Sequence, residues 1–236
     1  MVPLPLDDNV RRTTFWFCTL AIILANLYVF WMELSLNGRE VDRLIFLYGI
    51  VPARYTTAPG LAVMTPAGFV VPILASMFLH AGWLHVLGNM LFLYVFGRTV
   101  EDRFGHFKFL VLYFASGFAG ALLHIYLNAG SRVPSIGASG AIAGVLGAYF
   151  VASPAARIKL TIFPLIFWTF QLPAVLVLGY WFLIQFVSGY QMLSIETATQ
   201  GGGTAWWAHV GGFVTGMLLG LMFGPRSRPA PLSPGY

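Results

Sequence analysis

Charged residues avoid long stretches of this 236-residue chain, and that arrangement constrains the fold more than any other feature. Residues 13–32, 81–97, 109–131, 133–156, 160–195 and 205–223 contain no Asp, Glu, Lys or Arg. Stretches of this kind form the helices of ~17 to 25 residues that cross a bilayer, where each segment must satisfy its own backbone N–H and C=O groups. Only 9% of the residues are charged, against roughly 25% in a soluble domain, so a soluble fold is excluded. The stretch 160–195 is too long for one crossing and is interrupted by Pro164 and Pro173, so an interfacial segment followed by a helix from about residue 174 to 190 is expected. The chain reads as an all-α bundle of about six transmembrane helices.

Residues 1–13 are expected to be a cytoplasmic N-terminal segment, 14–224 one membrane domain, and 225–236, rich in Pro, Ser and Arg, a disordered tail. Within the domain, 33–79 is a long first loop in which Pro52, Pro66 and Pro72 break up the apolar runs, as suits a segment lying in the interface. A seventh helix starting near Leu61 is the competing reading. With six spans, one side holds Arg11, Arg12, Arg98, Arg103, Lys108, Arg157, Lys159, Arg226 and Arg228, and the other holds Arg39, Arg43, Arg54 and Arg132. That excess places both termini in the cytoplasm. The net charge of +5 follows from this sidedness and gives nucleic-acid binding no support. The single cysteine, Cys18, can form no intrachain disulfide and is expected to pack as a small apolar residue.

The polar residues inside the spans point to chemistry. His85 and Asn89 lie on one face of the second span, about 40° apart, with His80 before it or elsewhere around it. Ser139 opens the fourth span within Gly137-Ala138-Ser139-Gly140, and Pro154 closes that span after about 22 Å, short of a core ~30 Å thick. The serine therefore lies below the outer surface, where an irregular loop requires a protein-lined or water-filled pocket. His209 enters with the last span. His209, Gly212, Gly216 and Gly220 form one stripe, and Gly140, Ala143, Gly144 and Gly147 form another. Small residues at this spacing let helices approach closely in lipid, and joining the stripes brings His209 to Ser139. Ionisable groups are expensive in a bilayer, so a histidine there marks function more often than packing. His124 has no evident partner, and His106 belongs to a solvated turn. A proton-conducting channel would need ionisable groups through the full thickness, and the inner part of the spans is almost wholly apolar.

Serine is a poor nucleophile unless a base within hydrogen-bond reach takes its proton, and an uncharged His209 can do so. The acidic residues fall at the opposite end (Glu101, Asp102) or in outer loops (Glu33, Glu40, Asp42, Glu196), so packing alone is expected to orient the imidazole. An oxyanion is best held at the start of a helix, by the Ser139 amide, the Asn89 side chain and His85, with His80 and Gly137 in support. A helical substrate shields its peptide bonds, so the substrate segment must unwind near the outer surface. Entry beside the fifth helix, under a glycine-rich loop at 192–204, is the expected route.

The motifs His80-Ala81-Gly82-Trp83-Leu84-His85-Val86-Leu87-Gly88-Asn89, Glu101-Asp102-Arg103-Phe104-Gly105, Gly137-Ala138-Ser139-Gly140 and Ala208-His209-Val210-Gly211-Gly212 resemble, in order and spacing, the rhomboid family of intramembrane serine proteases, over about residues 70–224. The resemblance implies a six-helix rhomboid-type bundle, a catalytic dyad of Ser139 and His209, oxyanion stabilisation by His85 and Asn89, and a structural network at Glu101 and Arg103. It implies no metal and no cofactor, single-span membrane proteins as substrates, the lipid bilayer as surroundings, and a bacterial cytoplasmic membrane. A rhomboid-like pseudoprotease that binds membrane clients without cleavage is the alternative. The family's Trp-Arg pair in the first loop is replaced by Val71 and Pro72, which leaves that loop's role open.

Overall fold

In the computed structural model, which describes residues 3–162, 165–194 and 205–226, the chain begins with β1 (Pro3–Asp8) and α1 (Phe17–Leu34). Four short helices follow, α2 (Gly38–Tyr48), α3 (Pro52–Thr56), α4 (Ala58–Ala62) and α5 (Pro66–Ser76). Next, α6 (Trp83–Phe92) continues through a π-helical turn (Leu93–Gly97) into α7 (Arg98–Phe104). Then come α8 (His106–Leu127), α9 (Ser139–Ala152), β2 (Arg157–Ile162), β3 (Leu165–Pro173), α10 (Ala174–Ser194) and α11 (Trp206–Phe223). By length and composition α1, α8, α10 and α11 can each cross a membrane, and the protein is integral to one.

The continuous run through α6, the π turn and α7 rises ~33 Å, but Arg98, Glu101, Asp102 and Arg103 make its last turns polar. The 14 residues of α9 rise only ~21 Å. Their burial explains why so short a helix is stable: every residue from Gly140 to Tyr149 is buried, as expected of a helix that is apolar all round. Lipid supplies no hydrophobic drive between helices, so close packing must hold them. At Gly212 and Gly216 a Cβ would collide with the backbone of Gly140 and Gly144, and at Gly147 with the Phe213 carbonyl. The two small-residue stripes thus form the seam between α9 and α11.

One end of the bundle is a polar network. The Glu101 carboxylate, fully buried, accepts from the Cys18 and Thr19 amides at 2.8 and 2.7 Å and from the Thr19 hydroxyl at 2.6 Å. Asp102 accepts from the amides of Thr13 and Thr14, and Arg103 donates to the Arg226 carbonyl. The Glu101 carboxylate thereby satisfies open amides at the start of α1, where Trp16 offers no side-chain cap. The network also ties both ends of the described chain to α7. On β1, Asp8 accepts from Arg12, Thr99 and Tyr149.

The expectation of an all-α bundle is corrected here. The bundle is mostly helical, but residues 157–173 are not a plain interfacial segment: β2 and β3 pair antiparallel, and β1 adds to β2. Burial alternates along β2, with Arg157 and Lys159 exposed and Ile158 and Leu160 buried, a period-2 pattern in a run rich in β-branched and aromatic residues. Within the N-terminal segment, residues 3–8 form the strand β1. The first loop is largely helical, and its longest apolar helix, α5, has 11 residues and rises only ~16 Å, well short of a bilayer core. The helix α10 runs to Ser194, beyond the expected residue 190. Residues 227–236 of the expected tail and 195–204 of the expected cap lie outside the described residues.

Candidate active site

The loop before α9 is pinned from the first-loop helices. Ile50 and Ser135 exchange both amide–carbonyl bonds at 2.9 and 2.8 Å, and the Ala53 amide donates to the Ser131 carbonyl at 2.8 Å. Gly137 donates its amide to the Ser76 carbonyl at 2.8 Å and has φ +124°, a conformation that a side chain would strain. A Cβ at Gly137 would also lie only 2.7 Å from His85 Nε2. The glycine therefore lets the backbone turn into α9 while resting against the imidazole. The segment whose role the sequence left open thus holds the serine loop in place.

Ser139 is the first residue of α9, where amides lack intrahelical partners, and His209 lies in the first turn of α11. Contact between Gly140 and Gly212 brings their neighbours together, and His209 Nε2 lies 2.8 Å from Ser139 Oγ. The other ring nitrogen, Nδ1, lies 2.6 Å from Gln185 Oε1 on α10. An amide oxygen only accepts, so Nδ1 carries the proton and the Nε2 lone pair faces the serine hydroxyl.

Across the cavity, Asn89 Nδ2 donates to His80 Nε2 at 3.0 Å, and His80 Nδ1 donates to the Phe78 carbonyl at 3.3 Å. His80 precedes α6 and serves as an acceptor that orients the Asn89 amide, while its ring packs edge-on against that of His85 at 5.0 Å between centroids. A cavity of about 530 Å³ is lined by His85, Asn89, Ser135, Ile136, Ser139 and His209, among others. A second, of about 240 Å³, shares His85, Asn89, Ser139 and His209 and extends along Ile142, Leu146 and Trp181. Ser139, His85 and Asn89 are partly exposed, whereas His209 is buried. A hydroxyl reachable from the cavity, a base beneath it and amide donors opposite are the groups that acyl transfer requires.

The structure brings all six expected residues, His80, His85, Asn89, Gly137, Ser139 and His209, to one place. It also adds two that the sequence reading missed. Gln185 replaces packing as the partner of the imidazole; the signal was an amide alone amid the apolar middle of α10. Glu33 is not in an outer loop: it ends α1, is 6% exposed, and its carboxylate accepts from the His80 amide at 3.3 Å. His124 is partnered within its own helix by Asn128, at 3.2 Å. His106 bonds Glu101 at 2.5 Å, and Cys18 joins them so that three donor atoms lie within 4.8 Å of one another. Both Glu101 oxygens there already serve the α1 amides, which identifies the group as a helix cap.

Residues 68–226 match the model of the Rhomboid domain family. Among known proteins, the chain is similar to Rhomboid protein 1, mitochondrial, of Saccharomyces cerevisiae, 32% identical over 154 residues, 64% of this chain and 41% of the relative. It is similar also to RHOMBOID-like protein 1 of Arabidopsis thaliana, 34% identical over 154 residues, 64% of this chain and 34% of the relative. Presenilin-associated rhomboid-like protein A, mitochondrial, of Danio rerio is 29% identical over 147 residues, 58% of this chain and 38% of the relative. The chain thus spans only 34% to 41% of the length of these relatives. Two of their names place them in mitochondria, so they lend no support to a bacterial cytoplasmic membrane.

Proposed function

The chain belongs to the rhomboid family, and on that premise we propose that it is a serine-type endopeptidase that cuts membrane proteins within the bilayer. The observation that carries this reading is the 2.8 Å approach of His209 Nε2 to Ser139 Oγ at the edge of a large cavity. In the proposed reaction, Oγ attacks the scissile carbonyl carbon as its proton passes to Nε2. The carbonyl oxygen gains negative charge and is held by the Ser139 amide, the second N–H of Asn89 and His85. The imidazolium then protonates the leaving amine, and an acyl-enzyme remains for water to hydrolyse through the same base. Each aligned oxyanion donor is worth ~2.7 to 4 kcal/mol.

In this reading α1, the α6–α7 run, α8, α9, α10 and α11 make six crossings, and the excess of Arg and Lys on the side of the polar network makes that side cytoplasmic. Ser139 then opens toward the other face. Peptide bonds of an intact helix are engaged and shielded, so the substrates are single-span proteins whose outer turns unwind readily, helped by glycine, proline or small polar residues. Nothing in this chemistry calls for a metal or a cofactor.

Labelling of the purified protein by a fluorophosphonate tests the reading. The native chain should be labelled, and Ser139→Ala and His209→Ala should not be. Labelling that persists in Ser139→Ala refutes the choice of nucleophile, and a native chain that resists both labelling and cleavage of single-span substrates is instead a client-binding pseudoprotease.

A further inference from the structure

We infer that Gln185, with Trp181 one turn before it on α10, is a positioning residue that holds the His209 imidazole in the tautomer and orientation needed to act on Ser139. The inference rests on the protease reading above and makes the site a chain of three side chains, Ser139–His209–Gln185.

Most of the middle of α10 is turned outward: Leu183, Ile184, Phe186 and Val187 are all exposed. Gln185 stands apart at 6% exposure, facing α11. An amide in that position is costly unless it is bonded, and its oxygen lies 2.6 Å from Nδ1. A neutral imidazole has one N–H. Anchoring it at Nδ1 leaves the Nε2 lone pair for the hydroxyl 2.8 Å away; the other tautomer would direct a donor at the serine and leave two acceptors facing each other.

Orientation about the ring plane is held separately. The Trp181 ring lies over the imidazole at 5.8 Å and 36°, and Phe182 packs on Phe213 at 4.7 Å, which fastens α10 to the helix that carries the base. The partner is neutral where soluble serine proteases use a carboxylate. A lone carboxylate buried in a spanning segment would carry a large desolvation penalty, whereas the Gln185 amide oxygen accepts from Nδ1–H without adding a charge.

The test compares Gln185→Leu, which removes the acceptor at similar volume, with Gln185→Glu, which keeps an acceptor oxygen, and with Leu183→Ala as an exposed control on the same helix. Turnover of a detergent-solubilised single-span substrate, the fluorophosphonate labelling rate and thermal unfolding are measured for each. Gln185→Leu should lose about 10-fold in kcat with KM unchanged, the loss expected for one net hydrogen bond, and should label more slowly by the same factor. Gln185→Glu should keep most of the turnover while the acid limb of its pH–rate profile moves to higher pH, because a carboxylate favours the imidazolium. The other titratable groups near enough to act on the ring, His85 on α6 and His124 on α8, are unchanged in these variants.

A native kcat in Gln185→Leu overturns the inference, and so does equal impairment of both variants at native melting temperature. Should Gln185→Leu fail to fold, the acid limb of Gln185→Glu decides, and an unmoved limb overturns the inference. The protease reading fails separately, if Ser139→Ala still labels; loss of labelling in Ser139→Ala and His209→Ala beside a native Gln185→Leu removes only the role of Gln185.

Discussion

Removing the Glu101 carboxylate should destabilise the protein without touching its chemistry. The start of α1 presents amides with no side-chain cap of their own, one part-buried and one buried, and Glu101 supplies an oxygen to each: Oε1 to Cys18 at 2.8 Å and Oε2 to Thr19 at 2.7 Å, with the Thr19 hydroxyl at 2.6 Å. In Glu101→Ala these donors lose their acceptor. An unsatisfied donor costs ~1 to 3 kcal/mol, so two amides give about 2 to 6 kcal/mol, equivalent to a melting temperature about 5 to 20 °C lower. Glu101→Gln is the sharper variant, because it preserves volume but presents one NH2 group to an amide N–H. It should lose about half as much stability. Both variants are assayed by thermal unfolding in detergent micelles, alongside the fluorophosphonate labelling rate at low temperature. Ser139 lies at the other end of α9 from this network, so labelling per folded molecule should stay native. A native melting temperature for Glu101→Gln would show that volume, not hydrogen bonding, is what the side chain provides; slowed labelling at low temperature would show that the two ends are coupled.

Gly216→Ala places a methyl on the Gly144 backbone, which cannot move aside as a side chain can, so the α9–α11 seam must open at a cost of about 1 to 3 kcal/mol. Lower thermal stability together with slower Ser139 labelling is expected, and an unchanged melting temperature would contradict the seam as described. Asn89→Ala should fold normally and lose about 10² to 10³ in kcat with little change in KM; a change in KM alone would mean that the amide binds the ground state, contrary to an oxyanion role.

The sequence alone was enough to identify a membrane protein, because uncharged stretches of spanning length leave the backbone no other way to satisfy itself. It was also enough to pair Ser139 with His209 in expectation: two glycine stripes at helical spacing imply a close seam, and a close seam sets the register of the residues beside it. The small sheet was partly legible in the alternation at 157–160, but apolar residues around two prolines suggested an interfacial segment more readily than strands. Which segment joins β2 as its outer partner could not be read at all, since Pro3–Asp8 pairs across more than a hundred residues of chain and strand pairing leaves no local mark.

Only the tertiary structure decided how the imidazole is held. Gln185 and His209 sit on different helices with no periodic pattern linking them, and whether a glutamine in an apolar helix faces lipid or a neighbour depends on that helix's rotation about its axis. Glu33 is another case: it is buried near the end of α1, where its carboxylate accepts from the His80 backbone amide, a contact between residues far apart in the chain. Composition and spacing along the chain record which surfaces must be hidden and at what period. They do not record which polar atom on one helix meets which on another, because that meeting is set by angles and distances between elements that exist only once all of them have packed.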